Sequence, residues 1–249
     1  MKIMHQYNRF SILIGLLSLF LTTCKVEHLA NIEPSVYQIE PSMGSGSEDI
    51  QAMIAPYKVQ LDSEMNQVIG IVGMELTKTM PESTLGNWLV DLLQEETSKV
   101  SDQPIDFTLQ NYGGIRISSI PKGPINRGKI FELMPFDNMA VVVELDANHT
   151  RKLIHLMAAD GGWPVSKGLS YQIKDGKAEH IKIHGQPIEE GRIYWVSMPD
   201  YIANGGGNAE FLKDKNRIQT GHLIRDLIIQ HIQNEQDVPQ MAEVEGRVR

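Results

Sequence analysis

Cys24 is the only cysteine in this chain of 249 residues. Whatever fold the chain adopts has no internal disulfide and no thiolate metal site to stabilise it, so an apolar core must do so. Hydrophobic residues make up 41% of the sequence, enough for one substantial core in a domain of ordinary to large size.

The position of the cysteine matters as much as its solitude. Lys2 and Arg9, with no acidic residue near them, precede the apolar run Ser11 to Leu21, and Thr22-Thr23-Cys24 follows. This is the pattern of a secretory signal, and the run is shorter than the roughly 20 residues a membrane-spanning helix needs. Leu21-Thr22-Thr23-Cys24 also looks like a bacterial lipobox, in which the cysteine is acylated and becomes the new N-terminus. Thr23 departs from the usual Gly, Ala or Ser, and an ordinary signal with an incidental cysteine is the alternative. Residues 1–23 are therefore expected to be a lipoprotein signal peptide with Cys24 as lipidation site. The mature protein is expected to be exported and lipid-anchored to a bacterial membrane, facing the periplasm or the cell exterior. Residues 24–48 contain Pro34, Pro41, Gly44, Gly46, Ser42, Ser45 and Ser47, a composition that reads as a flexible tether, with a folded domain over 49–249. The formal net charge is −8, and Lys and Arg are scattered among more numerous acids, which argues against nucleic acid as a partner.

Apolar spacing predicts a helical stretch from about Glu48, a strand over Val68–Leu76, and a helix from Thr84 to about Lys99. Ser83 would cap that helix, and Leu85, Trp88, Leu89, Leu92 and Leu93 would form its one buried stripe. Strands are expected at Ile105–Gln110, Met139–Leu145, Gly168–Ile173, Ala178–Ile183 and Ile193–Met198, with a hairpin at Asp175-Gly176. Helices are expected at Asn148–Ala159, capped by Asp146, and from about Thr220 to Asn234, with Val244–Val248 as a candidate edge strand. Strands and helices mixed in this way indicate an α+β fold, a mixed β-sheet with packed helices.

Recognisable catalytic patterns are few. Ser45 lies in Gly44-Ser45-Gly46 within the tether, and no Gly-x-Ser-x-Gly turn occurs, which speaks against a serine hydrolase of that class. His180 and His184 fall in an expected strand, where four residues span about 13 Å. One metal cannot reach both at about 2 Å. His149, His155, His222 and His231 fall on or beside expected helices without His-Glu-x-x-His spacing. Asp146-Ala147-Asn148-His149 and Gly207-Asn208-Ala209-Glu210 do not match the Asp-x-His and Gly-Asn-His-Asp/Glu ligand sets of a dinuclear phosphoesterase. Neither a metal nor a cofactor is expected in this chain, and nothing here would activate water.

Three loops carry the informative residues. Asn111-Tyr112-Gly113-Gly114-Ile115-Arg116 follows a strand and pairs a flexible backbone with a forked cation. Pro199-Asp200-Tyr201-Ile202-Ala203-Asn204-Gly205-Gly206-Gly207 follows another. Met134-Pro135-Phe136-Asp137-Asn138 precedes a third. Two aromatic rings can sandwich a base, and a guanidinium can pair with phosphate. On composition alone each glycine-rich loop is a turn with a chance neighbour.

The wording and order of the segments go further. Glu82-Ser83-Thr84-Leu85-Gly86-Asn87, the Asn111–Arg116 loop, Pro135–Asn138, Asp200–Gly206 and the closing Glu245-Gly246-Arg247-Val248 resemble successive motifs of the 5'-nucleotidase C-terminal domain, from about residue 52 to the end. The resemblance implies a domain that binds the nucleoside part of a substrate and presents its phosphate to two metals in a separate catalytic domain. Phe136 and Tyr201 would form the base clamp, Arg116 would face phosphate or ribose, and Asn111 would bond the base or order its loop. Gly113, Gly114, Asn204, Gly205 and Gly206 would complete the substrate loops. Three departures stand out: Pro81 where relatives usually carry arginine, Gly207 where they usually carry aspartate, and Tyr112 for a usual glycine. The implied function is substrate recognition in a hydrolase family of nucleotide catabolism, acting with a separate metallophosphoesterase that would hold the divalent metals. The alternative is a non-catalytic lipoprotein that binds nucleosides or nucleotides.

Overall fold

Ser83, Asn126 and Asp146 each turn a side-chain oxygen onto a backbone amide three residues ahead, and each so opens a helix. A computed structural model describes residues 48–249 of the chain. The expected signal peptide, Cys24 and residues 24–47 of the expected tether lie outside them. Residues 52–249 form one compact unit.

Helix α1 (Glu48–Met65) contains no buried residue. Strand β1 (Val68–Val72) pairs antiparallel with β5 (Gly123–Asn126), and β2 (Leu76–Thr77) with β4 (Ser119–Ile120). Between them runs α2 (Thr84–Val100), burying Leu85, Trp88, Leu89, Leu92 and Leu93 as its periodicity predicts. Strand β3 is short (Phe107–Thr108), and α3 (Arg127–Leu133) follows β5. Next come β6 (Met139–Asp146), α4 (Ala147–Ala159) and the β7–β8 hairpin (Leu169–Lys174, Lys177–Ile183). Asp175 and Gly176 turn that hairpin with positive φ, as the Asp-Gly pair suggests. The chain ends with β9 (Ile193–Pro199), the short helix α5 (Asp200–Ala203), β10 (Arg217–Leu223) and α6 (Ile224–Asn234).

The central sheet has the order β10–β6–β9–β3, with two antiparallel pairings and one parallel one, β3 on β9. The fold is thus the α+β arrangement with a mixed sheet that the sequence indicated. β6 is buried on both faces from Ala140 to Val143, which is why it reads as a continuous apolar run. Val141, Val143, Val196 and Met198 join the cluster under α4, whereas Ala140 joins Leu89, Leu227 and Ile228 on the side of α2 and α6.

Several expected boundaries move. Thr220–Leu223 is the end of β10, not the start of a helix: it runs against β6 with Leu223 opposite Met139, across an irregularity at Gly221. His222 accordingly sits on a strand. Val68–Leu76 divides into β1 and β2 around Gly73. The 105–110 strand contracts to β3 with one further bridge, Leu109 to Val165. The expected edge strand at Val244–Val248 reduces to a single parallel bridge, Tyr171 to Val248.

Candidate functional site

The sheet order brings the three loops to one edge. β3 and β9 are parallel, so both end there, and their continuations are Asn111–Arg116 and Asp200–Gly206. β6 runs the other way, so it begins there, immediately after Phe136-Asp137-Asn138. β10 is antiparallel to β6 and also ends there, delivering the first turn of α6 beneath the same edge. Loops of distant sequence are thus neighbours by topology, the usual way a rigid scaffold presents a site.

They surround a cleft of about 400 Å³ lined by Asn111, Gly113, Gly114, Arg116, Phe136, Asn138 and Tyr201. Phe136 and Tyr201 are 46% and 49% exposed, far more than the core aromatics Phe107 and Trp163. Two large rings left half in water at one cleft are candidates for ligand contact rather than for packing. The Arg116 guanidinium lies 5.7 Å from the centre of the Phe136 ring and donates to the Gly113 carbonyl at 3.2 Å. It has no acidic partner among the described residues. Behind it, the Lys78 ammonium donates to the Ile115 carbonyl at 2.7 Å and sits 3.9 Å from the centre of the Tyr112 ring. Burial and the adjacent Arg116 charge hold the Lys78 amine below the usual lysine range. The cleft therefore combines an apolar slot with a net positive edge, in a protein of formal charge −8.

The glycines of the loops have separate causes. A Cβ on Gly114 would collide with the Gln110 side chain, which packs behind the loop and donates to Asn111 Oδ1 at 3.0 Å. Gly113 has open space beside it. On the other loop, Gly205 has φ +93° and Gly207 φ +61°, and a Cβ on Gly206 would strike the Tyr201 ring. Asn204, Gly205 and Gly206 do not line the cleft. Asn204 Oδ1 accepts from Arg217 Nη1 at 2.8 Å, and Gly206 lies beneath the Tyr201 ring. An aspartate at 207 would need the left-handed backbone and would place its Cβ 3.2 Å from the Trp163 ring.

The first and last motifs form an internal lock away from the cleft. Arg247 is 5% exposed; it grips both oxygens of Asp91 at 2.7 and 2.6 Å and donates to the Val165 carbonyl. The buried Glu82 carboxylate accepts from Asn87 Nδ2 at 2.7 Å and from the Glu245 amide at 2.9 Å. Burial alone would lower the Arg247 pKa, but bonds from Asp91 and Glu245 outweigh it and raise it further.

A second cavity, about 450 Å³, lies beside this lock and is lined by Asp91, Glu95, Glu235, Glu243 and Glu245 against Lys167 and Arg247. Its negative excess makes it the wrong sign for a phosphate. Nearby, ligand atoms of Glu95, Glu96 and His231 lie within 4.8 Å of one another. Lys99 Nζ already pairs with both carboxylates at 2.8 and 2.7 Å, and His231 Nδ1 stands 2.8 Å from Glu96, so a lysine occupies the place of a cation. Burial pushes the Glu96 carboxyl up, and bonds from Lys99 and His231 more than reverse this and hold it below the usual range. Of the other histidines, His155 accepts from the Ala178 amide and His184 faces Asp106 at 3.5 Å. Asn138 and Lys78 border the site yet carry no distinctive sequence signal beyond their places in or near the motifs.

Residues 64–214 match the model of the 5'-nucleotidase C-terminal domain family, and the chain belongs to that family. It is 22% identical over 197 residues to protein UshA of Escherichia coli, across 75% of this chain and 34% of that protein. It is 25% identical over 221 residues to an apyrase of Anopheles gambiae, across 81% of this chain and 38% of the apyrase. The crystal structure of a 5'-nucleotidase precursor from Thermus thermophilus superposes with a TM-score of 0.68 at 27% identity, over 80% of this chain and 42% of that one. The chain thus spans well under half the length of these relatives. No helix among the described residues is long and apolar enough to cross a membrane.

Proposed function

We propose that this member of the 5'-nucleotidase C-terminal domain family binds a nucleotide or nucleoside by its base, between Phe136 and Tyr201. In this reading the chain is the substrate-recognition part of a 5'-nucleotidase-type phosphohydrolase in nucleotide catabolism. The observation that carries the proposal is the pair of half-exposed rings on one cleft beside an arginine with no acidic partner among the described residues. Stacking contributes about 1–3 kcal/mol per base–ring contact. Arg116 and Lys78 supply the positive side for phosphate, Lys78 in partial replacement of the arginine that Pro81 displaces. Asn111 bonds the base, while Gly113, Gly114, Asn204, Gly205 and Gly206 shape the two loops.

Hydrolysis belongs to a separate metallophosphoesterase that holds the divalent metals. Export and acylation at Cys24 would anchor this chain to a bacterial membrane, facing the periplasm or the cell exterior. The test is an assay of the purified chain with AMP and UMP in Mg, Mn, Zn or Co. No turnover is expected until a partner metallophosphoesterase is added, and robust activity of the lone chain would sink the reading. Pro81 and Gly207 favour a second reading, a non-catalytic nucleoside-binding lipoprotein, since both remove groups that relatives turn towards phosphate and ribose. Calorimetry separates the two: a nucleotide site binds AMP more tightly than adenosine, whereas a nucleoside site gains nothing from the phosphate.

A further inference from the structure

Phe136 projects from a segment without regular structure, yet a stacking wall is effective only if its ring keeps one attitude before the ligand arrives. The segment is held from below. Arg225, in the first turn of α6, is 9% exposed. Its Nη1 donates to the carbonyls of Met134 and Phe136, both at 3.4 Å, and its Nη2 to Asp137 Oδ1 at 2.7 Å. The flat guanidinium lies 4.3 Å from the centre of the Phe131 ring. Next to it, the Ile224 amide donates to the Asn138 carbonyl at 2.9 Å. On the far side, Asp200 Oδ1 accepts from the Met139 amide at 3.2 Å. Every residue from Met134 to Met139 except Pro135 is thus tied to the start of α6 or of α5.

We propose that Arg225 is a positioning residue for base recognition: without reaching the ligand, it sets the attitude of Phe136 and so the affinity for the base. The inference rests on the reading of the cleft as a base clamp. The planar fork presents its donors on two separate nitrogens, one turned to Asp137 and the other to the two carbonyls. A lysine ammonium on its flexible stem would satisfy Asp137 and abandon the carbonyls. Asp137 itself is mostly exposed, so the buried charge depends on those carbonyls for much of its compensation.

The experiment compares wild type, Arg225→Lys, Phe136→Ala and the double variant of the full chain, by calorimetry with AMP and with ribose 5-phosphate. Arg225→Lys should weaken AMP about tenfold, the equivalent of one stacking contact, and leave ribose 5-phosphate unchanged. On the Phe136→Ala background it should have no further effect on AMP. Equal losses for both ligands, or additive losses with Phe136→Ala, would overturn the proposal. Asp137→Asn, a change on an exposed side chain, should weaken AMP in the same selective way by a smaller factor even if Arg225→Lys folds poorly; no change there counts against the proposal. Hydrogen exchange supplies a readout without ligand: the Ile224 amide, which bonds the Asn138 carbonyl, and the Met139 amide, which bonds Asp200, should exchange faster in Arg225→Lys while those of 228–232 do not. Unaltered exchange at Ile224 and Met139 overturns the anchoring. Faster exchange in a protein that binds no AMP upholds the anchoring and removes the base-clamp reading alone.

Discussion

Arg116 and Arg247 stand in motifs of equal prominence, and the fold treats them in opposite ways. Arg247 is buried and gripped by Asp91, Glu245 and a backbone carbonyl, so all of its donors are committed inside the molecule. Arg116 is exposed at the cleft, with one bond to its own loop and an aromatic ring beside it. The same contrast separates their surroundings, rings packed away at the lock and rings left half in water at the cleft. A family motif therefore marks a place where substitution is costly, but only the pairing of its groups tells whether the cost falls on folding or on binding.

That contrast can be broken most readily at the lock. Arg247→Met should cost about 3 kcal/mol of stability, because it leaves Asp91 and Glu245 without their shared cation. Denaturant unfolding would measure the loss, and the molecules that remain folded should bind AMP as before. Weakened AMP binding in folded Arg247→Met would erase the distinction. At the cleft the pattern should invert. Phe136→Ala and Tyr201→Ala should each weaken AMP by about 1–3 kcal/mol in calorimetry, with stability changed by no more than about 0.5 kcal/mol.

A smaller effect tests the positive edge. Lys78→Met should reduce the preference for AMP over adenosine by about 1.5 kcal/mol, the low end for one hydrogen bond to a charged group. Because burial and Arg116 lower the Lys78 pKa, that preference should also fade with rising pH before the ordinary lysine range is reached. Titration of the two ligands from neutral to alkaline pH would show it, and a flat preference would exclude Lys78.

The smallest effect concerns the lock side alone. Glu96 has a depressed pKa in the folded protein, so its contribution to stability is complete above the unfolded carboxylate value. It is lost as pH falls through the folded value. Glu96→Gln should flatten that acid limb of the stability curve and leave ligand binding untouched.

How far the residues announced all this varies along the chain. The α2 stripe, the Asp-Gly hairpin and the caps at Ser83 and Asp146 are local patterns, and the structure follows them. Phe136, Tyr201 and Arg116 could be singled out because each stands in a motif beside glycine or proline. β10 could not: Arg217–Leu223 alternates weakly, is interrupted by Gly221, and becomes a strand because β6 offers it an edge. Arg225 was equally silent, since its partners lie about ninety positions earlier and meet it only after the sheet has assembled. Asn204 is harder to read. Its place among glycines suggests a ligand, and Arg217, a residue of the unforeseen strand, occupies its side-chain oxygen.

The Tyr201 ring rests on Gly206, at a position with no room for a side chain. The height of one wall of the cleft is therefore set by an absent atom group rather than by a present one. A change from glycine to alanine at 206 would displace the ring and reshape the slot, although residue 206 is not among those that line it. The shape of the cleft can thus be altered from a position outside it, with both aromatic rings left in place.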